Sequence, residues 1–187
     1  MNEQQLLNIL IEHFGDKISG SVKRKKRVEI HTSTKVIEDF LQYIKNVLGY
    51  IHFVQLSCVD WIEENEFELV YIVWSPKDKI TILTKVRVPR ENAVAPNTDY
   101  IWRHINTFER EIREMFGIEF EGLVGAREFI LEDWDDKPPM RRDFDTLEYS
   151  QATYFDRPGR EDAQDVRETI TKRSGEEIPE FAKKYSR

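Results

Sequence analysis

The sequence predicts an α+β fold, with two layers made of helices on one face of a mixed, mainly antiparallel sheet, followed by a long extended C-terminal tail. Three observations carry that prediction. Two segments near the start repeat apolar residues at helical spacing. Three runs between residues 52 and 88 have strand character and are joined by short turn sequences. After Gly122 both periodicities fade, while charged and aromatic residues continue. The expected boundaries are residues 1–122 for the core and 123–187 for a partner-wrapping segment.

The elements follow in order. Leu6, Leu7, Leu10, Ile11 and Phe14 share one helical face within residues 3–14, and Gly15 stops the helix. Residues 18–31 read as two short strands around a basic tip, Lys23 to Arg27. Thr32, Ser33 and Thr34 are N-cap types for a helix over 35–48, whose stripe is Val36, Ile37, Phe40, Leu41, Ile44, Val47 and Leu48, closed by Gly49. Strands are expected at 52–61, 66–75 and 79–88. Their short links make an antiparallel meander, and Pro89 ends the third strand. Residues 89–98 read as a loop, and a short helix from about Thr98 leads to a further helix over 107–116.

That last helix, TFEREIREMF, is densely charged. Asn106 and Glu109 have capping-box spacing. Phe108, Ile112, Met115 and Phe116 form an apolar stripe. Glu109 with Arg113 and Arg110 with Glu114 are opposite charges four residues apart. Gly117 sits where a helix ends in a left-handed residue. The charged face could be a solvated surface, an acid/base cluster or a docking surface. The pattern alone favours the solvated surface. Glu109 and Glu111 are two apart and point in different directions, which is poor geometry for a paired acid and base.

Composition narrows the function. Charged residues are 34 % of the chain and the net charge is −7, which argues against general phosphate-backbone binding. Dense mixed charge also suits a thermophile. One cysteine, Cys58, excludes an intramolecular disulfide and a four-cysteine cluster. Its apolar run marks it as a small core residue. The histidines His13, His31, His52 and His104 have no ligand spacing. No secretory leader pattern or membrane-spanning apolar run is read, so a cytoplasmic location is expected.

Two alternatives come from local clusters. Asp133, Asp135 and Asp136 around Trp134 could serve a metal-dependent hydrolase, although they lack an EF-hand glycine turn. The Lys23–Arg27 tip could touch nucleic acid, although it lacks interleaved aromatics. In the tail, Arg127, Arg141, Arg142 and Arg157 lie among Trp134, Phe144, Tyr149, Tyr154 and Phe155. These are the residue types enriched at interface cores, so the tail reads as wrapped on a partner. Helical signal beyond Gly122 is weak and confined to about 160–173.

Residues 107–122 resemble the signature of the C subunit of NADH–quinone oxidoreductase, the smaller non-redox subunit of respiratory complex I. That signature reads (W/F)-x-E-R-E-x-x-D-(M/L)-(F/Y)-G-I-x-F-x-G, and here Glu114 takes the place of the usual aspartate. The strand KITILTKVRVP, residues 98–102, Arg127 to Trp134 and the run Pro139-Met140-Arg141-Arg142-Asp143-Phe144 are also similar to that family. The resemblance covers at least residues 66–160. It implies an α/β domain with a long C-terminal segment, in a cofactor-free accessory subunit of the hydrophilic arm. The partners it implies are a large hydrogenase-like catalytic subunit, a small iron–sulfur subunit and, indirectly, membrane subunits. It implies no catalytic, cofactor or metal residue in this chain and no nucleic acid partner. The iron–sulfur clusters, and nickel–iron where the partner is a hydrogenase, would belong to other subunits. The implied place is peripheral, on the cytoplasmic side of the cell membrane. The expected interface residues are Glu109, Arg110, Glu111, Arg127, Trp134, Arg141, Arg142, Asp143, Tyr154 and Phe155. After Gly122 the chain has Leu-Val-Gly-Ala where the family commonly has His-Pro. That departure points to the branch found in membrane-bound nickel–iron hydrogenases and ferredoxin-dependent sulfur-reducing complexes.

Overall fold

The computed structural model describes residues 1–125 and 128–153. Helix α1 spans Glu3–Phe14 and is closed at its start by a capping box between Asn2 and Gln5. Strands β1 (Ile18–Arg24) and β2 (Arg27–Thr32) form the hairpin, and α2 spans Ile37–Asn46. Strands β3 (His52–Trp61), β4 (Glu66–Trp74) and β5 (Thr81–Pro89) form the meander. Helix α3 spans Ile105–Phe116.

The main sheet has the order β1-β2-β5-β4-β3. Every pair is antiparallel except β2 with β5, which is parallel and requires the crossover that α2 supplies. Register puts Phe67 opposite Val88, Leu69 opposite Val86, Tyr71 opposite Thr84 and Val73 opposite Ile82. All eight are buried, so this face carries the helices. Leu6, Leu7 and Leu10 of α1 and Ile37, Phe40, Leu41 and Ile44 of α2 join the same core. Each fully buried aliphatic or aromatic side chain contributes about 1.5–3 kcal/mol. Gly20 on β1 is a close-approach site. A Cβ there would lie 2.7 Å from the Glu29 carbonyl oxygen and 3.1 Å from a Leu7 methyl of α1.

The opposite face carries a ladder of charge. Glu29 meets Lys23 at 3.0 Å and Lys85 at 3.5 Å; Lys85 meets Glu68 at 3.4 Å; Arg87 meets Glu68 at 3.0 Å and Glu64 at 2.9 Å. Sheet register places part of this ladder, because Glu68 and Arg87 sit directly opposite each other.

Several local expectations need correction. Among the described residues no side chain caps α2. Instead, the Ser33 carbonyl accepts from the N–H groups of Val36 and Ile37, and Val47 is exposed beyond the helix end. Residues 99–104 run as turns rather than a helix. The loop after β5 contains β6 (Val94–Pro96), which pairs in parallel with β7 (Glu119–Glu121). Three-residue strands are too short to show a period, but they bury Ala95 and Phe120.

The chain divides into two compact units, Met1–Phe144 and a second beginning at Asp145. Residues 128–144, which the sequence assigns to the tail, therefore belong with the folded unit. The described part of the second unit is α4 (Thr146–Thr153), where the Asp145 carboxylate accepts from the N–H groups of Leu147 and Glu148. Tyr154, Phe155 and the weak helical signal at 160–173 lie outside the described residues.

Candidate partner interface

Helix α3 organises this region. It packs on the sheet through Phe108 against Phe53, ring centroids 6.0 Å apart, and Phe116 against Phe67 at 6.1 Å. Its first turn differs from the expected one. Asn106 lies inside the helix, and His104 takes the N-cap position without a side-chain cap. The Asn106 amide donates to Asp99 and to the Val124 carbonyl.

Glu109 is not a capping residue or part of a solvated face. It is 0 % exposed. Its Oε1 accepts from the Thr98 backbone N–H at 2.8 Å and the Thr98 hydroxyl at 2.9 Å, while Oε2 has no hydrogen-bond partner among the described residues. Burial raises its pKa to about 7, against the two Thr98 donors that favour the charged form. This carboxyl tethers the turns at 98–104 to α3. Glu111, by contrast, is exposed.

Glu114 and Arg110 hold the chain that follows. The Glu114 carboxylate accepts from three consecutive N–H groups: Phe129, Ile130 at 2.7 Å and Leu131 at 2.9 Å. Burial pushes its pKa up, but these donors outweigh that and leave it below its ordinary value. Arg110 donates to the Glu128 carbonyl and lies over the Phe129 ring. Arg113 pairs with Glu119 at 3.0 Å.

The strap 138–144 then closes the C-terminal end of α3. A helix leaves its last carbonyls without partners. Here the Met140 N–H donates to the Met115 carbonyl at 3.0 Å, and Arg141 Nε donates to the Phe116 carbonyl at 2.7 Å. The arginine charge also suits the negative end of the helix dipole, and it lies over the Phe67 ring at 5.2 Å. Gly117 has φ +73, and a Cβ there would lie 2.9 Å from an Arg141 nitrogen and 3.0 Å from Pro138.

A second latch forms around Asp60, only 6 % exposed. Arg90 meets both of its oxygens, at 2.9 and 3.1 Å, and the Arg142 N–H donates to it at 2.9 Å. Arg90 also pairs with Asp143 at 2.6 Å. Burial raises the Asp143 pKa, but the Arg90 hydrogen bond and charge hold it below the usual range. The Arg142 guanidinium grips Glu63, meeting both carboxylate oxygens at 2.7 and 2.8 Å. Trp134 packs near Phe144 at 5.6 Å, and its Nε1–H is shared by the Asp136 and Lys137 carbonyls.

Glu109, Arg110, Trp134, Arg141, Arg142 and Asp143 thus make intrachain contacts, whereas Arg127, Tyr154 and Phe155 lie outside the described residues. Sequence reasoning missed Asp60, Glu63, Arg90 and Thr98. The available signal was Asp60 itself, the one acid on strand β3, which implies a buried cation nearby. Asp133, Asp135 and Asp136 do not converge: among the described residues no three His, Cys, Asp or Glu side chains come together as metal ligands. The basic tip is tied to acids, with Lys23 on Glu29, the Lys26 N–H on the Glu3 carboxylate and Lys26 Nζ on the Asp78 carbonyl.

Residues 30–150 match the family described as respiratory-chain NADH dehydrogenase, 30 Kd subunit. The chain belongs to that family. It is 26 % identical over 165 residues to the C subunit of NADH-quinone oxidoreductase of Erythrobacter litoralis, covering 84 % of this chain and 66 % of that one. It is 24 % identical over 147 residues to the C subunit of F(420)H(2) dehydrogenase of Methanosarcina mazei, covering 78 % of this chain and 93 % of that one. A chain of an archaeal respiratory complex, the membrane-bound sulfane sulfur reductase, superposes with TM-score 0.69 at 28 % identity, covering 83 % of this chain and 96 % of that one. An Nqo5 fragment superposes with TM-score 0.54 at 22 % identity, covering 63 % of this chain and 96 % of the fragment; this likeness shows the fold alone. The 30 kDa-type chain is therefore a C-type subunit of a complex I-like assembly, and other subunits are its partners. No described helix is long and apolar enough to cross a membrane.

Proposed function

We propose that this subunit is a cofactor-free brace in the hydrophilic arm of a membrane-bound, complex I-like oxidoreductase of the hydrogenase or ferredoxin-dependent branch. It holds a large hydrogenase-like catalytic subunit beside a small iron–sulfur subunit, on the cytoplasmic side of the membrane, while electron transfer and ion pumping proceed in its neighbours. The supporting observation is the likeness to the sulfane sulfur reductase chain, which spans 96 % of that chain. The physical support is rigidity. Two latches, on the end of α3 and on Asp60, fix the strap 138–144 to the domain, as a stiff spacer between subunits requires.

Purification through a tag on this chain in mild detergent, followed by mass spectrometry, tests the reading. The expected result is a complex with a hydrogenase-type large subunit and antiporter-like membrane subunits. A chain recovered without other subunits would overturn it. Similarity to the C subunit of NADH-quinone oxidoreductase favours a second reading, a quinone-reducing complex I proper. Assays for hydrogen evolution, sulfur reduction and NADH oxidation by the purified complex separate the two.

A further inference from the structure

We propose that the groove between α3 and the free edge of β3 receives an extended segment of another subunit, laid beside β3 as a sixth strand, with apolar side chains at alternate positions and a lysine or arginine. The proposal rests on the reading that the chain works within a multi-subunit complex.

Among the described residues, strand β3 ends the sheet and pairs only with β4. Alternate N–H and C=O groups along it therefore point outward. The two ends of that edge are closed. Trp102 Nε1 donates to the Ile51 carbonyl, the His104 ring lies 3.3 Å from the Phe53 carbonyl, and Asp60 is sealed by Arg90 and the Arg142 N–H. Between them runs Val54-Gln55-Leu56-Ser57-Cys58-Val59, with no charged residue and no proline. Natural edges are normally blunted by such residues. The other edge strand, β1, is blunted in that way, because its exposed half carries Lys23 and Arg24.

The unguarded edge opens onto a groove of about 520 Å³. Leu56 and Cys58 form one wall, Phe108, Ile112 and Met115 of α3 the other, and Met140 closes one side with 58 % of its surface exposed. A strand added beside β3 pairs through its backbone and sends every second side chain into this groove. The methionines adapt to varied apolar shapes. Among the described residues Glu111 is the only charged one lining the groove, and it is exposed, so the segment that fits carries a cation opposite it. A second copy of this chain fits poorly, because it brings a net charge of −7 to the same acid.

The test uses the assembled complex. A photo-crosslinking amino acid replaces Gln55 in one strain and, as a control on the open sheet face, Leu83 in another; the tagged complex is irradiated and digested. The expected result is an adduct from Gln55 to one short segment of another subunit, a segment with lysine or arginine in it, and Glu111→Lys lowers the yield at least about tenfold. An intact complex with no adduct at Gln55 overturns this proposal alone. An adduct to residues 154–187 of the same chain, or to a second copy, does so too. A chain recovered without partners overturns this proposal and the functional reading together.

Discussion

Glu109→Gln isolates the energetics of the buried carboxyl. A carboxyl in the unfolded chain titrates near 4.5, and in the folded domain burial raises Glu109 to about 7. The folded state therefore binds this proton more tightly. Its contribution to stability is fully present below pH 4.5 and is lost as the pH rises through 7. At about 1.4 kcal/mol per tenfold change in proton affinity, the loss is on the order of 3 kcal/mol. Glutamine is close in shape and stays neutral. Its carbonyl can accept both Thr98 donors, and its amide replaces the Oε2 that lacks a partner. The variant should match the wild type within about 0.5 kcal/mol near pH ~4.5 and exceed it by about 2–3 kcal/mol near pH ~8. Urea unfolding of both proteins across that range is the assay. Subtracting the two curves cancels the other carboxyls. Among these, Glu29 is partly buried, which raises its pKa, but Lys23, His31 and Lys85 outweigh that and hold it at about 2, so it acts mainly below pH 4.5 and with opposite sign. Parallel curves across the whole range would refute the reasoning, because Glu109 would then titrate alike in the folded and unfolded states.

Three further outcomes are expected. Arg90→Ala should cost about 3–5 kcal/mol, because among the described residues it leaves the buried Asp60 carboxylate with only the Arg142 N–H; denaturant midpoints measure it. Gly117→Ala should cost more than about 1 kcal/mol, from the left-handed backbone and the crowding by Arg141 and Pro138, and should speed hydrogen exchange at the Met140 amide. Tyr50→Phe should be neutral or stabilising in thermal melts, because the buried Tyr50 hydroxyl has no hydrogen-bond partner among the described residues.

The long elements were legible because each carries a period. Helix α1 and strand β3 match their expected spans, and the residues of β5 alternate between buried and half-buried along Thr81–Val88. Elements without a period were not legible: β6 and β7 have three residues each and exist because their pairing buries Ala95 and Phe120. The charged helix misleads for a related reason. Glu109 has the spacing of a cap and of an ion pair with Arg113, and both are local preferences worth at most about 1 kcal/mol. Packing of Phe108 and Ile112 on the sheet fixes the rotation of α3, and that rotation turns Glu109 inward to Thr98. No local pattern encodes a partner eleven residues upstream across a turn.

Two of the stretches that carry the family resemblance prove to be halves of one joint. The end of α3 supplies two open carbonyls and a left-handed glycine, and Pro138 to Arg141 supplies the N–H, the guanidinium and the ring that fit them. Arg142 and Asp143 finish the closure on Asp60 and Arg90. Arginines and aromatics along a chain with no period look like a docking surface, because a partner interface and an intrachain strap use the same residue types. Geometry separates the two. A guanidinium already bonded to a helix carbonyl and lying over Phe67 must break those contacts before it can bind anything else. Partner recognition is therefore cheaper at groups with no such commitment, which among the described residues include Glu111 and the backbone edge from Val54 to Val59 proposed above as a docking site.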